Sequence, residues 1–149
     1  MAYLLDTDVF IRAKNDHYGL DFCPAFWDWL KITNAAGVVY SVDAVYKELM
    51  TGKDNLSDWV EAHKRLFIIT SSRELLGVRS VNQWAQKSQN YDMAAKNKFA
   101  SKADSFLVGH ALAGGHTVVT HERPGQSRKK IKIPDAAMAH KISGAYICD

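Results

Sequence analysis

Asp6 and Asp8 stand two residues apart, directly after the apolar run Tyr3-Leu4-Leu5 and before a second run, Val9-Phe10-Ile11. A short apolar run bounded by a polar break reads as a buried strand. Both carboxylates then sit at its carboxyl end, the edge of an open α/β sheet where ligands bind. One acid would suffice there to cap the next helix. Two acids also suit a metal, a phosphate chemistry or a hydrogen-bond network, and this stretch alone leaves the readings open. Three further acids fall at comparable places: Glu48 in the helix expected after the second strand, Asp104 in the first turn of a later helix, and Glu122 two residues after Thr117-Val118-Val119-Thr120. Each has an ordinary role available: a solvated helix face for Glu48, a favourable charge near a helix N-terminus for Asp104, and a loop acid for Glu122. Together they are harder to dismiss, because carboxylates converging on one cleft raise one another's pKa unless a cation neutralises them. An all-oxygen set of this kind suits Mg²⁺ or Mn²⁺ rather than zinc. Such an ion activates water and stabilises developing charge in phosphodiester hydrolysis.

The elements that must position these acids follow from periodicity. After the first strand the pattern predicts a short helix from Asp8 to about Asn15. A second helix opens near Pro24, carries Phe26, Trp29 and Leu30 on one face, and stops at Gly37. Val38-Val39-Tyr40 is a strand. Ser41 then caps a helix bearing Val42, Val45, Tyr46 and Leu49 on its inner face, which Gly52 ends. Asn55 to Leu66 is an amphipathic helix and Phe67-Ile68-Ile69-Thr70 a third strand. Ser71-Ser72-Arg73-Glu74 has capping-box spacing for a helix from about Glu74 to Gln89. A short helix spans Asp92 to Phe99, and a further one, Ala103 to Ala113, is stopped by Gly114-Gly115. Thr117 to Thr120 is a β-branched strand. A basic, turn-rich stretch leads to a last helix at Ile133-Pro134-Asp135, and Tyr146-Ile147-Cys148 reads as a final strand. Strands alternating with helices imply one domain, residues 1–149, built on a parallel sheet with helices on both faces.

Bulk composition narrows the function classes. A 47% hydrophobic and 23% charged chain is that of a soluble globular protein. No apolar run approaches the roughly 20 residues needed to span a bilayer. The N-terminus lacks a basic region and Asp6 interrupts its apolar run, so no signal peptide is expected. Cys23 and Cys148 are too few and too far apart for a disulfide scaffold or metal cluster, which points to a reducing cytoplasm. The six histidines show no HExxH-type spacing, and there is no P-loop, GxGxxG or Ser/His/Asp elbow. The tryptophans Trp27, Trp29, Trp59 and Trp84 fall at helical positions that suit core or interface. Of the 16 acids five belong to the proposed set, so the remaining 11 face 19 Lys and Arg. The run Arg128-Lys129-Lys130-Ile131-Lys132 would by default be a solvated loop. Following an acidic pocket, it becomes a candidate phosphate-binding segment.

The motifs Asp6-Thr7-Asp8-Val9-Phe10, Glu48, Ala103-Asp104-Ser105-Phe106-Leu107-Val108 and Thr117-Val118-Val119-Thr120-His121-Glu122 resemble those of the PIN-domain nuclease family. They are similar in particular to VapC-like ribonuclease toxins of prokaryotic toxin–antitoxin pairs, in the right order over nearly the whole chain. The Thr120-His121-Glu122-Arg123-Pro124 stretch, the basic loop and Lys132-Ile133-Pro134-Asp135 look like a less characterised PIN branch of unknown function. The resemblance implies a three-layer α/β/α fold with a central, mostly parallel sheet. It also implies metal-dependent cleavage of RNA, an antitoxin partner and a homodimer. By it Asp6, Glu48 and Asp104 are core ligands of Mg²⁺ or Mn²⁺, Glu122 is the fourth acid, and Asp8 and Thr120 support them. Two departures stand out: the family usually has Asn or Ser at the position of Asp8, and more often Asp at that of Glu122. Relatives often carry more sequence after the last strand, which leaves room for a missing terminal element. Two rival readings remain. Asp6-x-Asp8 after a strand suits the aspartyl nucleophile of a haloacid-dehalogenase-type phosphatase, although that chemistry expects a later acidic pair where Thr120-His121-Glu122 offers one acid. The other is a catalytically degenerate module that binds RNA or protein.

Overall fold

The computed structural model describes residues 1–16, 19–125 and 127–146. Strand β1 (Tyr3–Leu5) runs into helix α1 (Thr7–Asn15), with Asp6 as the single residue between them. Helix α2 (Pro24–Ala35) has its proline in the first turn and ends just before Gly37, which takes φ +76°. Strand β2 (Val39–Val42) leads directly into α3 (Asp43–Met50). Helix α4 (Asn55–Ala62) and a 3-10 turn over Lys64–Leu66 precede the two-residue strand β3 (Phe67–Ile68). Three helices follow: α5 (Ser72–Lys87), α6 (Met93–Ser101) and α7 (Ala103–Gly114). Strand β4 (Thr117–Thr120), helix α8 (Ile133–Ala139) and strand β5 (Gly144–Tyr146) complete the chain.

The five strands form one sheet in the order β3-β2-β1-β4-β5, and every pairing is parallel. All four residues of β4 are buried, as are Leu4 and Leu5 of β1, so both faces of the sheet are covered by helices. This is the expected α/β/α architecture. From β1 the chain builds outward through β2 and β3, then returns to place β4 on the other side of β1. The carboxyl ends of β1 and β4 therefore flank the point where strand order reverses, which is where such sheets open a crevice.

Helix α7 sits deepest. Ala103, Ser105, Leu107, Val108, Gly109, His110 and Ala111 are all buried, and Leu107 and Val108 are completely inaccessible. It packs so closely on α5 that a Cβ on Gly77 would lie 2.2 Å from the carbonyl oxygen of Gly109. One on Gly109 would lie 2.6 Å from the backbone of Val78. This glycine contact fixes the axis that carries Asp104.

Several local expectations need correction. Ser41 does not cap α3; it is the third residue of β2, and its hydroxyl donates to the carbonyl of Leu5 (2.6 Å). Val42 likewise ends the strand instead of lying on the helix face, because the parallel partner β3 carries the ladder to it, pairing Val42 with Ile68, before the chain turns. Ser71 and Glu74 bond to each other rather than to backbone amides, so α5 has no side-chain cap. The last strand among the described residues is Gly144–Tyr146, paired in register with Val118 to Thr120; it begins two residues before the expected Tyr146-Ile147-Cys148, of which Tyr146 is the residue described. Backbone pairing at a sheet edge selects it, not side-chain propensity. Ile147, Cys148 and Asp149 lie outside the described residues, as does His17.

Candidate active site

Asp6, the N-cap residue of α1, makes no side-chain bond to that helix. Its carboxylate instead accepts from the hydroxyl of Thr120 (2.9 Å), and the same hydroxyl oxygen accepts from the backbone N–H of Glu122 (3.0 Å). With Asp6 N–H donating to the carbonyl of Val119 (3.0 Å), this chain of bonds ties the end of β1 to the end of β4. The helix-cap role open to Asp6 from the sequence is therefore not the one it plays. Asp8, in the first turn of α1, is exposed and faces the same cleft.

Glu48 arrives from α3, and one of its carboxylate oxygens accepts from the N–H of Ala103 (3.4 Å). This bond joins the acid of α3 to the start of α7, one residue from Asp104. Asp6, Asp8, Glu48, Asp104 and Glu122 all line a single cleft of about 400 Å³ at the carboxyl edge of the sheet. Four separate segments thus deliver their acids to one place.

The electrostatics follow from burial and from this crowding. Asp6, only 4% exposed, has its carboxyl pushed up to about 8, first by loss of water and then by the charge of Asp104. Asp8 and Glu122 add to the rise, and the Thr120 bond opposes it. Asp104 is pushed up to about 6, again by burial first, then by Glu122 and Glu48, while Lys130 and Lys102 pull it down. Both shifts have the sign expected of an acidic cluster short of positive charge.

The donor set is all oxygen, and a buried carboxyl that resists ionising at neutral pH is what a hard divalent cation would relieve. The residues fit Mg²⁺ or Mn²⁺ in that respect. As the side chains stand, no three His, Cys, Asp or Glu among the described residues close around a common metal point. They line an open cleft and do not form a finished cage.

The basic segment divides. Lys129 and Lys130 line the cleft, and Lys130 Nζ lies 3.4 Å from Oε2 of Glu122. That oxygen is buried and accepts no hydrogen bond from the described residues, so the ammonium stands as its counter-charge. Arg128 and Lys132 do not line the cleft. The carbonyl of Arg128 accepts from the N–H of Asp92 (2.9 Å), and Lys132 is the N-cap of α8. Two cations that sequence reasoning missed, Lys98 and Lys102, line the same cleft. Their signal was an i, i+4 spacing across the end of α6, immediately ahead of Asp104.

A family model described as a domain of unknown function (DUF4411) matches residues 3–147. Among solved structures, VapBC2 from Rickettsia felis bound to a DNA fragment from their promoter superposes with a TM-score of 0.54 at 17% identity. The match covers 82% of this chain and 89% of that one. At that identity the likeness speaks for the fold, which is PIN-like. No curated protein matches the chain. Among the described residues no helix is long and apolar enough to cross a membrane.

Proposed function

This chain belongs to the DUF4411 family, and from that premise we propose that it is a Mg²⁺- or Mn²⁺-dependent endoribonuclease, the toxin of a toxin–antitoxin pair. The observation that carries the reading is the delivery of five carboxylates by four segments to one cleft, with the buried Asp6 held up to about 8. Asp6, Glu48, Asp104 and Glu122 would hold the cation, and Asp8 would hydrogen-bond to a ligand or water beside it. When bound, such an ion supplies an activated water and charge neutralisation for phosphodiester hydrolysis. Thr120 fixes the rotamer of Asp6, and the Glu48 bond to Ala103 fixes where α7 begins relative to α3. Lys129 and Lys130 on one wall, with Lys98 and Lys102, offer positive charge to the phosphates on either side of the cut. The phosphatase alternative uses Asp6 and Asp8, expects a later acidic pair where Glu122 stands alone, and leaves the convergence of Glu48 and Asp104 without a purpose.

The fold likeness to VapBC2 supports an antitoxin partner, which would cover the acidic cleft or its rim. The test is cleavage of single-stranded RNA by purified protein with and without Mn²⁺ or Mg²⁺. Asp6→Asn and Asp104→Asn should each abolish metal-dependent cleavage while leaving the circular dichroism spectrum unchanged. Full activity in either variant sinks the assignment.

A further inference from the structure

Beside the acidic cleft a second cavity of about 340 Å³ shares Glu48 and Lys102 with it. Asp43, at the start of α3, lines this cavity together with Thr70. Both carboxylate oxygens of Asp43 are engaged by Thr70: one accepts from its N–H (2.8 Å), the other from its hydroxyl (2.6 Å). Thr70 spends its only hydroxyl proton on Asp43. His110 Nε2, 2.8 Å from the same hydroxyl oxygen, must therefore be the N–H donor of that contact. His110 is 1% exposed and anchored in α7, so the chain His110–Thr70–Asp43 holds the carboxylate rigidly from the core. Each oxygen has taken one hydrogen bond and keeps a lone pair free.

Phe106, half-buried on α7, lines the same cavity and also a neighbouring one of about 680 Å³ that runs along α5 past Arg79, Asn82 and Gln86. Lys47 and Lys102 are exposed cations on its walls. An aromatic surface, a fixed acceptor and flanking cations, one step from the proposed cutting site, match the needs of one unstacked nucleotide.

We propose that this cavity receives the nucleotide adjoining the scissile phosphate, its base against Phe106 and its amino group donating to Asp43. The inference rests on the ribonuclease reading and adds a specificity to it. Adenine, cytosine and guanine each carry an exocyclic amino group. Uracil has no amino group, and its one ring N–H, at N3, is flanked by two carbonyl oxygens that an anionic carboxylate repels.

The experiment maps cut sites in a random-sequence single-stranded RNA pool treated with the full chain and Mn²⁺. Uridine should be depleted about tenfold at one position next to the cut. Asp43→Asn, which can turn an amide N–H toward the base, should remove that depletion and favour uridine. Phe106→Ala should lower cleavage at limiting RNA about tenfold, the stacking of one base, and leave the rate at saturating RNA unchanged. Phe106→Leu, which keeps the apolar volume, should behave the same way and guards against a folding defect. Uridine cut as readily as the other bases, or a preference that survives Asp43→Asn, overturns the pocket while leaving the nuclease intact. Absence of Mn²⁺-dependent cleavage by the unmodified protein removes the ribonuclease reading, and the pocket with it.

Discussion

Asp6 lets the acidic cleft be tested without any substrate. Its carboxyl rises from 3.8 to about 8 because it is buried beside Asp104, Asp8 and Glu122. Below pH 3.8 the group is protonated whether the chain is folded or not, and contributes no pH dependence. Between 3.8 and about 8 the native state keeps the proton while the unfolded chain has released it, so stability falls as pH rises. Above about 8 both states are ionised and the full penalty persists. The slope for one such group is at most about 1.4 kcal/mol per pH unit. Between pH 5 and pH 8 the metal-free protein should therefore lose up to about 4 kcal/mol from this residue, less wherever water reaches the carboxylate. Asn at position 6 has no proton to lose, its carbonyl can still accept from Thr120, and its amide can donate to a neighbouring acid. Asp6→Asn should thus match the parent near pH 4 and gain on it steadily up to pH 8. Urea unfolding in the presence of a chelator, at several pH values, reads the difference. Adding Mn²⁺ at pH 8 should stabilise the parent and not the variant. A variant no more stable than the parent at pH 8, or a gap that does not change with pH, would refute the claim that burial and neighbouring carboxylates hold the proton on Asp6.

Replacing Arg128, Lys129, Lys130 and Lys132 by Gln should weaken RNA binding and reduce the log–log salt slope by roughly 0.7 per lost phosphate contact. We expect most of that loss in the Lys129 and Lys130 pair, measured by filter binding across salt concentrations. Association should run through the outer face of α2, where Trp29 and Ile32 are 50% and 68% exposed. Light scattering should give a dimer mass for the parent and a monomer mass for Trp29→Asp with Ile32→Asp. Gly109→Ala should destabilise the fold by about 1–3 kcal/mol or more, because its Cβ would press on the backbone of Val78. Thermal melts of the metal-free protein check that.

The legible parts of the fold were those where local pattern and tertiary environment agree. Leu4 and Leu5 or Thr117 to Thr120 are apolar or β-branched, buried on both faces, and flanked by polar breaks, so their identity as strands needs nothing from elsewhere. Ser41 failed because its hydroxyl suits a cap and a strand equally well, and the neighbouring backbone of Leu5 decided the matter. Gly144 and Ala145 carry almost no side-chain signal; β4 made them a strand by offering its free edge. The tryptophans, open between core and interface in the sequence, divide in the structure. Trp27 is 2% exposed and meets Trp59 edge-on at 4.9 Å, with Trp59 stacked on His63, so these two pack α2 against α4, while Trp29 stays 50% exposed.

In the site, the acids were legible and the charge balance was not. A carboxylate after a strand is conspicuous because the apolar run points at it, whereas a lysine on a helix looks like any solvated residue until the helix is placed. Lys98, Lys102, Lys129 and Lys130 line the cleft with the five acids. Asp104 stays lower than Asp6 because Lys130 and Lys102 oppose its neighbours, while the main relief for Asp6 is a neutral hydroxyl. In the metal-free cleft five acids face four lysines, and the raised carboxyl of Asp6 keeps its proton at pH 7. A divalent cation that expels the proton of Asp6 leaves the cleft net positive. A polyanion such as RNA could then approach a site that its acids alone would repel.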